Sequence, residues 1–592
     1  MKMKKIHICL LAVLGISLVS CEDFLTQYPG NKITPDDFFK NEREINLYAN
    51  SFYQRDMPAT SVALGDGITD ILPVVTIPNY LKSSYSAADK GGWSWSILRN
   101  INFFIEKVQN SPVEEKVKSR FIGEARFWRA RFYFEKVLDF GGVPWYDHVV
   151  KVEDREDLYK KRDSREDVMN HVLEDLDAAV QHCVPQKDNS CTFVTKYVAL
   201  ALKTRICLFE GTFRKYHQKD MPELGDPEKW LREAAKAAKA IMDSGEYKLH
   251  ATGHPESDYR ALFTAENIAG VNSIKDEVIW AQVYETELRR WHDLTWKYDS
   301  GTYGSRWSLN RAFVNTYLMT DGSRFSDKEK FNEILFKDEV KNRDLRLQQT
   351  IRTPGYVRSD GSKALPKFTT TLTGYQVLKW SLDNKKYDSK NEATNAIPIF
   401  RYAEILLSYA EAKAELGEFS TIEWNQTIRL LRERAGVNGK EPETADNYLR
   451  ETFYPEITDK YLLEIRRERA IELVAEDQRY NDLMRWKRGE NLSEEVLPWT
   501  GIYVPELGKG QDLDNDGKID IIFYRDQKPS VTGIQLVQLN DHFTLTEGDK
   551  GNIVWAKGLE RKWEDYKYLS PIPHSVVELN QNIQQNPGWE NK

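Results

Sequence analysis

The sequence has little cysteine for its length, with five cysteines in 592 residues. This excludes a small domain held together by disulfides, and a chain of this length can bury a core without them. After the first twenty residues no apolar run is long enough to cross a bilayer. A polytopic membrane protein is therefore excluded.

An excess of positive charge is also missing. The 83 basic residues are outnumbered by 91 acidic residues, and the formal net charge is −8. Nucleic-acid binding depends on lysine and arginine side chains that neutralise phosphates. We therefore expect no nucleic-acid partner.

The motifs of several common catalytic sites are absent. There is no H-E-x-x-H, no G-x-S-x-G, no Walker loop and no G-x-G-x-x-G turn. We predict that the protein is not an enzyme. A glycoside hydrolase remains the alternative, because its two carboxylates need no fixed spacing along the sequence.

The first 20 residues have the features of an export signal. Three lysines precede a short apolar segment from Ile6 to Leu18, and the segment ends in Val19-Ser20-Cys21, which is similar to a bacterial lipobox. We predict that residues 1–20 are a lipoprotein signal peptide and that Cys21 carries the lipid of an exported, anchored protein. An ordinary signal peptide with an incidental cysteine is the alternative.

Helical periodicity dominates the rest of the chain. It predicts a helix after the capping residue Ser164, a helix over 193–209 ended by Gly211, and a helix from Pro227 to Gly245. Further helices are predicted over Tyr402–Leu416, Trp424–Arg434 and Tyr461–Lys487. Long helices joined by short turns favour an α-dominated fold of tetratricopeptide-like pairs, with long irregular loops and a few short β-strands.

We predict one domain over residues 21–592, made of three parts. Residues 21–245 form a helical part, residues 246–400 a loop-rich and aromatic-rich part, and residues 401–592 a C-terminal part. Short β-prone runs occur at Val278–Val283 and Tyr375–Trp380, and residues 491–560 are similarly irregular. Cys183 and Cys191 are close enough in sequence to form a disulfide, but the sequence does not decide whether they do.

Several strings spread along the chain match one family in the order expected. They are Cys21-Glu22-Asp23-Phe24-Leu25, Gly123-Glu124-Ala125-Arg126-Phe127, Phe140-Gly141-Gly142-Val143-Pro144, Thr195-Lys196-Tyr197, Asn342-Arg343-Asp344, Arg401-Tyr402-Ala403-Glu404, Arg485-Trp486-Lys487 and Asn586-Pro587-Gly588-Trp589. With these strings the chain resembles the SusD/RagB family, which comprises surface nutrient-binding lipoproteins of Bacteroidetes.

The resemblance implies a tetratricopeptide-like helical fold without catalysis. It also implies a lipid-anchored protein of the outer membrane that faces the cell exterior. The expected ligand is an oligosaccharide, and the expected partner is a SusC-like TonB-dependent transporter that receives it. A lid that captures peptides for such a transporter is an alternative.

Charged residues are concentrated on the predicted helix over 461–487. Arginine holds carboxylates in a fixed geometry. We therefore interpret its conspicuous charged residues as ion-pairing scaffold and not as a ligand site: Arg467, Arg469, Glu472 and Arg485.

An aspartate-rich segment, residues 512–520, matches the front of a calcium-binding loop. Its candidate ligands are Asp512, Asp514, Asp516, the backbone carbonyl of Lys518, and Asp520. The twelfth position is Phe523 and not glutamate, which argues against a helix–loop–helix sensor. We predict a structural Ca²⁺ site; a solvated acidic turn is the alternative.

Aromatic residues are plentiful, with 16 Trp, 29 Tyr and 25 Phe. Four lie among glycines and serines in a segment without apolar periodicity, and two more follow Gly91-Gly92: Trp291, Trp296, Tyr303, Trp307, Trp93 and Trp95. Flat rings suit the CH faces of sugars, so these six residues are the candidate ligand contacts. Because most tryptophans are packed, burial is the alternative for each ring.

Overall fold

The computed structural model describes residues 38–56, 65–266, 268 and 272–590. The predicted signal peptide and the lipidation site Cys21 lie outside these residues. Within the described part, no helix is both long enough and apolar enough to cross a membrane.

Helices dominate the architecture. In chain order they are α1 Glu42–Asp56, α2 Ser96–Gln109, α3 Glu115–Phe140, α4 Arg155–Leu158, α5 Arg165–His182, α6 Lys196–His217, α7 Pro227–Ser244, α8 Asp258–Thr264, α9 Asn272–Glu277, α10 Leu294–Asp299, α11 Arg311–Val314, α12 Phe336–Glu339, α13 Leu345–Thr350, α14 Tyr402–Glu415, α15 Thr421–Gln426, α16 Ile428–Arg434, α17 Asn447–Thr452, α18 Lys460–Glu472, α19 Arg479–Arg485 and α20 His574–Leu579.

The strands are short. They are β1 Val278–Gln282, β2 Ile397–Arg401, β3 Trp499–Val504, β4 Gly510–Gln511, β5 Ile521–Tyr524, β6 Gln535–Gln538, β7 Phe543–Leu545 and β8 Gly551–Trp555. β1 pairs with β2, while the other strands form two three-stranded sheets in the orders β3-β8-β7 and β4-β5-β6.

The long helices pack in succession and form the scaffold. α2 packs on α3, α3 on α5, α5 on α6 and α6 on α7, and α7 in turn packs on α14. The α-dominated, tetratricopeptide-like fold is thus confirmed.

Local capping signals account for two of these helices. The Ser164 side chain accepts a hydrogen bond from the backbone N–H of Asp167 at the start of α5. Asp226 caps α7, Pro227 is its first residue, and Gly245 ends it in the left-handed conformation with φ 67°. Proline is favoured at the first position of a helix because the N–H that it lacks would have no partner there. Glycine is favoured after the last turn because it adopts the left-handed conformation without strain.

Gly211 was expected to end a helix, and this prediction was wrong. α6 continues through Gly211 to His217. A Cβ atom at this position would lie 2.8 Å from Cγ of Leu231 in α7. The glycine therefore permits the close contact between the two helices, and the helical hydrogen bonds continue past it.

Two predicted helices are each divided. The segment 424–434 is split at Thr427 between α15 and α16. The segment 461–487 becomes α18 and α19, separated by a turn in which Ala475 and Asp477 both have φ 59°. This turn directs the Glu476 carboxylate to Arg401 (2.7 Å) and Lys379 (2.6 Å). Local helix propensity favours one continuous helix over this segment. The break between α18 and α19 is instead accompanied by ion pairs to distant parts of the chain.

The strand predictions had mixed outcomes. β1 confirms the run at Val278. The run Tyr375–Trp380 forms only isolated bridges, in which Gln376 pairs with Ser308 and Val377 with Ile351. Residues 491–560, expected to be loop-rich with short β-prone runs like the part before them, contain both three-stranded sheets.

Buried arginines and carboxylates form an ion-pair network along α18, as predicted for this helix. Glu472 accepts hydrogen bonds from Arg346 (2.9 Å), Arg401 (2.6 Å) and Arg434. Further pairs continue the network: Arg432 with Glu468, Arg467 with Glu464, Arg469 with Asp482, and Arg485 with Glu411. Burial alone would raise the pKa of Glu472, but the three arginines hold it well below its usual range.

The cysteines of the described part do not form a disulfide. Cys183, Cys191 and Cys207 are buried free thiols. The Cys191 thiol donates to the backbone carbonyl of Val278 at 3.2 Å.

Candidate functional site

Helix α10 places one tryptophan toward the surface. Leu294, Thr295 and Tyr298 are buried, whereas Trp296 is only partly buried. The helix is therefore held by its inner face and presents Trp296 on its outer face.

A tight turn after α10 brings a tyrosine back toward this tryptophan. The Ser300 N–H donates to the Trp296 carbonyl (2.9 Å), and the Gly304 N–H donates to the Ser300 carbonyl (3.0 Å). A Cβ atom at Gly304 would lie 2.1 Å from the Ser300 oxygen. Only glycine fits this position, so the turn that carries Tyr303 is built into the sequence.

Trp296 and Tyr303 form a pair of stacked rings, which we call the platform. Their centroids are 6.0 Å apart and their planes differ by 26°. Tyr303 is 74% exposed, and the Lys390 ammonium lies 5.2 Å from the Trp296 ring centroid. Trp291, five residues before Trp296, is also only partly buried. The platform thus combines flat apolar surface with a nearby hydrogen-bond donor.

Trp307 departs from the expected exposure. It is only 5% exposed and packs edge-to-face on Tyr298 at 5.4 Å. The preceding residue, Arg306, has φ 51° and donates to the carbonyls of Phe368 and Thr371. The chain therefore turns inward after the platform, and Trp307 belongs to the core.

Trp93 and Trp95 form a separate aromatic group. Their rings meet edge-to-face at 5.6 Å, and both are partly buried. Trp93 packs on Phe140 (5.0 Å) and Trp95 on Phe132 (5.7 Å), both in α3. Among the described residues, no ring contact joins this pair to the platform.

The aspartate-rich loop is the turn of a β-hairpin. It connects the antiparallel strands β4 and β5, which agrees with the expectation that it is not a helix–loop–helix sensor. One carboxylate oxygen each from Asp512, Asp514 and Asp520 lies within 4.8 Å of the others. Asp516 is not part of this group, and its carboxylate lies 3.4 Å from the Lys518 ammonium.

Two lysines offset part of the negative charge of this loop. Lys337 lies 3.2 Å from Asp512, and Lys363 lies 2.9 Å from Asp514. Burial raises the pKa of Asp520, and the neighbouring carboxylates raise it further. Three convergent hard oxygen ligands with residual negative charge fit a Ca²⁺ ion, which prefers oxygen ligands.

One residue beside the platform had no signal in the sequence. Lys390 is separated from Trp296 by 94 positions and belongs to a polar loop. The loop is held near α10 because the Asn391 N–H donates to the Asp293 carboxylate at 2.6 Å. This contact, together with the backbone pairing of His292 with Ala393, brings Lys390 to the ring.

Comparison with known proteins identifies the family. The model of the SusD family matches residues 276–589, which is more than half of the chain. The chain belongs to the SusD family. The matched region includes the platform, the ion-pair network and the aspartate-rich loop.

Relatives with similar sequences carry the same family name. SusD-like protein P38 of Formosa agariphila is 24% identical over 512 residues, covering 82% of this chain and 92% of the relative. A SusD-like protein of Bacteroides ovatus is 24% identical over 555 residues, covering 87% of this chain and 88% of the relative.

Solved structures share the fold. A SusD-like protein from Bacteroides fragilis has a TM-score of 0.66 at 22% identity, covering 95% of this chain and 100% of that one. A SusD-like carbohydrate binding protein from the same species has a TM-score of 0.64 at 22% identity, covering 92% and 100%. A surface glycan-binding protein A from Bacteroides fluxus has a TM-score of 0.57 at 20% identity, covering 93% and 99%.

Proposed function

We propose that this protein is a non-enzymatic surface lipoprotein that binds oligosaccharides and delivers them to a SusC-like TonB-dependent transporter of the outer membrane. Membership of the SusD family supports the proposal. The names of two proteins with the same fold, a carbohydrate binding protein and a surface glycan-binding protein, agree with it.

The platform is the observation that carries the proposal. The stacked Trp296 and Tyr303 rings present apolar faces to which the CH face of a pyranose can pack. Lys390 supplies a donor for sugar hydroxyls beside them. Rigid aromatic side chains provide contact area at small entropic cost, so a shallow surface is sufficient for binding.

The experiment is a glycan-array screen of the purified protein, followed by calorimetry with each glycan that binds. We expect Trp296→Ala and Tyr303→Ala to weaken binding by at least ~1 kcal/mol each, because truncation removes stacking area at the contact. Phe193→Ala is the matched control, since Phe193 is a similarly exposed ring on another part of the surface. Equal affinities of all three variants would exclude the platform as the contact.

The same samples distinguish the two rival functions. Release of reducing sugar from plant or host polysaccharides without added enzyme would identify a glycoside hydrolase and overturn the proposal. Binding of peptides without binding of any glycan would identify a peptide-capturing lid.

Anchoring and delivery need separate tests. Several acyl chains hold a protein firmly on a membrane, since each buried CH₂ contributes ~0.8 kcal/mol. Cys21→Ala should therefore release soluble protein or leave uncleaved precursor, and unchanged membrane fractionation would contradict the lipid anchor. Pull-down from solubilised outer membranes should recover a TonB-dependent barrel, also with the Tyr303→Ala variant; recovery of none would contradict delivery.

We also propose a structural Ca²⁺ site in the aspartate-rich loop. Asp512, Asp514 and Asp520 would hold the ion, since their oxygens converge within 4.8 Å. Asp516 and the backbone carbonyl of Lys518 stay predicted ligands, although the Asp516 carboxylate lies 3.4 Å from the Lys518 ammonium and outside the group of three. The ion would stabilise the hairpin between β4 and β5.

A further inference from the structure

A cavity of about 240 Å³ lies where strands β7 and β8 diverge. Phe543 pairs with Trp555 at the end of the ladder. Residues 540–542 lead into β7 and form one wall, and Ala556 and Leu559, which follow β8, form the other. The platform residues are not part of its lining.

The two walls are joined by reciprocal hydrogen bonds. The His542 ring donates through Nδ1 to the Lys557 carbonyl (2.7 Å), and the Lys557 N–H donates to the His542 carbonyl (3.0 Å). Ala556 adopts the left-handed conformation with φ 60°, which is unfavourable for alanine and persists only when the surroundings enforce it. The cavity is therefore built into the fold.

The floor of the cavity is apolar and held in one orientation. The indole N–H of Trp555 donates to the Val74 carbonyl at 2.9 Å. Phe543 meets the indole edge-to-face at 5.6 Å, and the Arg306 guanidinium lies 5.6 Å from the ring centroid. Because three contacts hold Trp555, its ring presents a preorganised surface to the cavity.

The rim carries polar groups whose hydrogen-bonding capacity is unused. The Asn540 side-chain oxygen accepts from the backbone N–H groups of His542 and Phe543, both at 2.9 Å, so its amide nitrogen is left without a partner among the described residues. The exposed Asp541 carboxylate makes no hydrogen bond or ion pair within the described part of the chain. Since Nδ1 of His542 is the donor to Lys557, Nε2 of the neutral ring is an acceptor.

We propose that this cavity is a second sugar-binding site, which takes one neutral pyranose ring. The inference rests on the proposed glycan-binding function and adds a site to it. The CH face of the sugar would pack on Trp555, while its hydroxyls would donate to Asp541 and His542 and accept from Asn540. A negatively charged sugar is disfavoured because the unpaired Asp541 carboxylate would repel it.

The test isolates this site by removing the platform. In a Trp296→Ala, Tyr303→Ala double variant, saturation-transfer NMR is recorded with the methyl glycosides of glucose, galactose, mannose and N-acetylglucosamine. We expect at least one glycoside to bind this protein. Adding Asp541→Ala should weaken that binding about tenfold or more, because a hydrogen bond to a charged group is lost.

A control and a second variant complete the design. Asp549→Ala replaces an exposed aspartate outside the cavity and should leave binding unchanged. Leu559→Trp places a bulky ring at the rim of the cavity and should block the site. Absence of glycoside binding in the platform double variant, or full binding after Asp541→Ala, overturns the second site. If the wild type also binds no glycan on the array, the proposed function itself fails.

Discussion

The ion-pair network along α18 and the platform after α10 use the same principle of fixed geometry for opposite purposes. In the network, Glu472 is enclosed by Arg346, Arg401 and Arg434 and has no contact with solvent. In the platform, the hydrogen-bonded turn over residues 300–304 fixes the backbone of Tyr303, and its ring is exposed to solvent. The network thus buries charge within the scaffold, whereas the platform exposes apolar surface where a ligand can bind.

The two regions differ in how much their side chains matter for the free energy of folding. A buried charge is tolerated only when every partner is present, so the network demands complete assembly of distant segments. An exposed ring costs the protein little and contributes little to its folding. Mutations in the network should therefore lower stability, and mutations in the platform should weaken binding with little effect on stability.

The largest effect is expected for Glu472→Gln. This change removes the negative charge shared by three buried arginines while it preserves side-chain size. Leaving buried charges uncompensated costs about 3–5 kcal/mol, which chemical denaturation will measure as a lower midpoint. The matched control is Glu433→Gln, which breaks an exposed pair with Arg429 at 2.7 Å. Exposed pairs contribute about 0–1 kcal/mol, so similar losses in both variants would contradict the comparison.

Trp307→Ala should mainly lower the stability of the protein, whereas Trp296→Ala should mainly weaken glycan binding. Truncating the buried Trp307 is expected to cost about 3–5 kcal/mol of unfolding free energy. Trp296→Ala should change the unfolding free energy by less than ~1 kcal/mol, since its ring lies at the surface. Thermal denaturation and glycan calorimetry of both variants measure the difference. A Trp307 variant with normal stability and lost binding would show that its ring reaches the ligand.

The aspartate-rich loop lies between these extremes, because its charge is at the surface and only partly paired. With free Ca²⁺ about a hundredfold above Kd, binding to the folded state adds about 2.7 kcal/mol. Chelation should therefore lower the melting temperature of the wild type, and Asp514→Ala should lower it without further response to chelator. Asp526→Ala, at an exposed aspartate outside the loop, should respond to chelator like the wild type. A melting temperature unchanged by chelation would identify the loop as a solvated turn.

A smaller effect is expected from His217, which should make the free energy of unfolding depend on pH. Burial lowers the pKa of His217 to about 4, whereas the unfolded value is about 6.5. Between pH 6.5 and 4 the unfolded chain binds the proton and the folded chain does not. Stability should therefore fall with falling pH by about 1.4 kcal/mol per unit from this residue.

The measurement is the difference in unfolding free energy between the wild type and His217→Gln across this pH range. Glutamine keeps a donor for the Met484 carbonyl, which the ring nitrogen contacts at 2.8 Å. Parallel pH profiles of the two proteins would contradict the buried, neutral histidine.

Local signals predicted the elements that depend on neighbours in sequence. The caps of α5 and α7 act over three or four residues, so Ser164 and Gly245 could be interpreted correctly. The spacing of Asp512 and Asp514 similarly predicted a shared turn, and Asp520 converges with them because β4 and β5 pair. Gly211 was misinterpreted since the residue that needs its small size, Leu231, lies on another helix.

The sequence by itself determined the helical scaffold and the glycine-dependent turn that carries Tyr303. These features rest on periodicity, capping and backbone sterics, which act over a few residues. Only the tertiary structure decided which rings are exposed. Trp307 is covered by distant segments, including that of Gly67, whereas Tyr303, four residues earlier, is not. Burial depends on which remote part of the chain arrives above a side chain, and no local pattern encodes that.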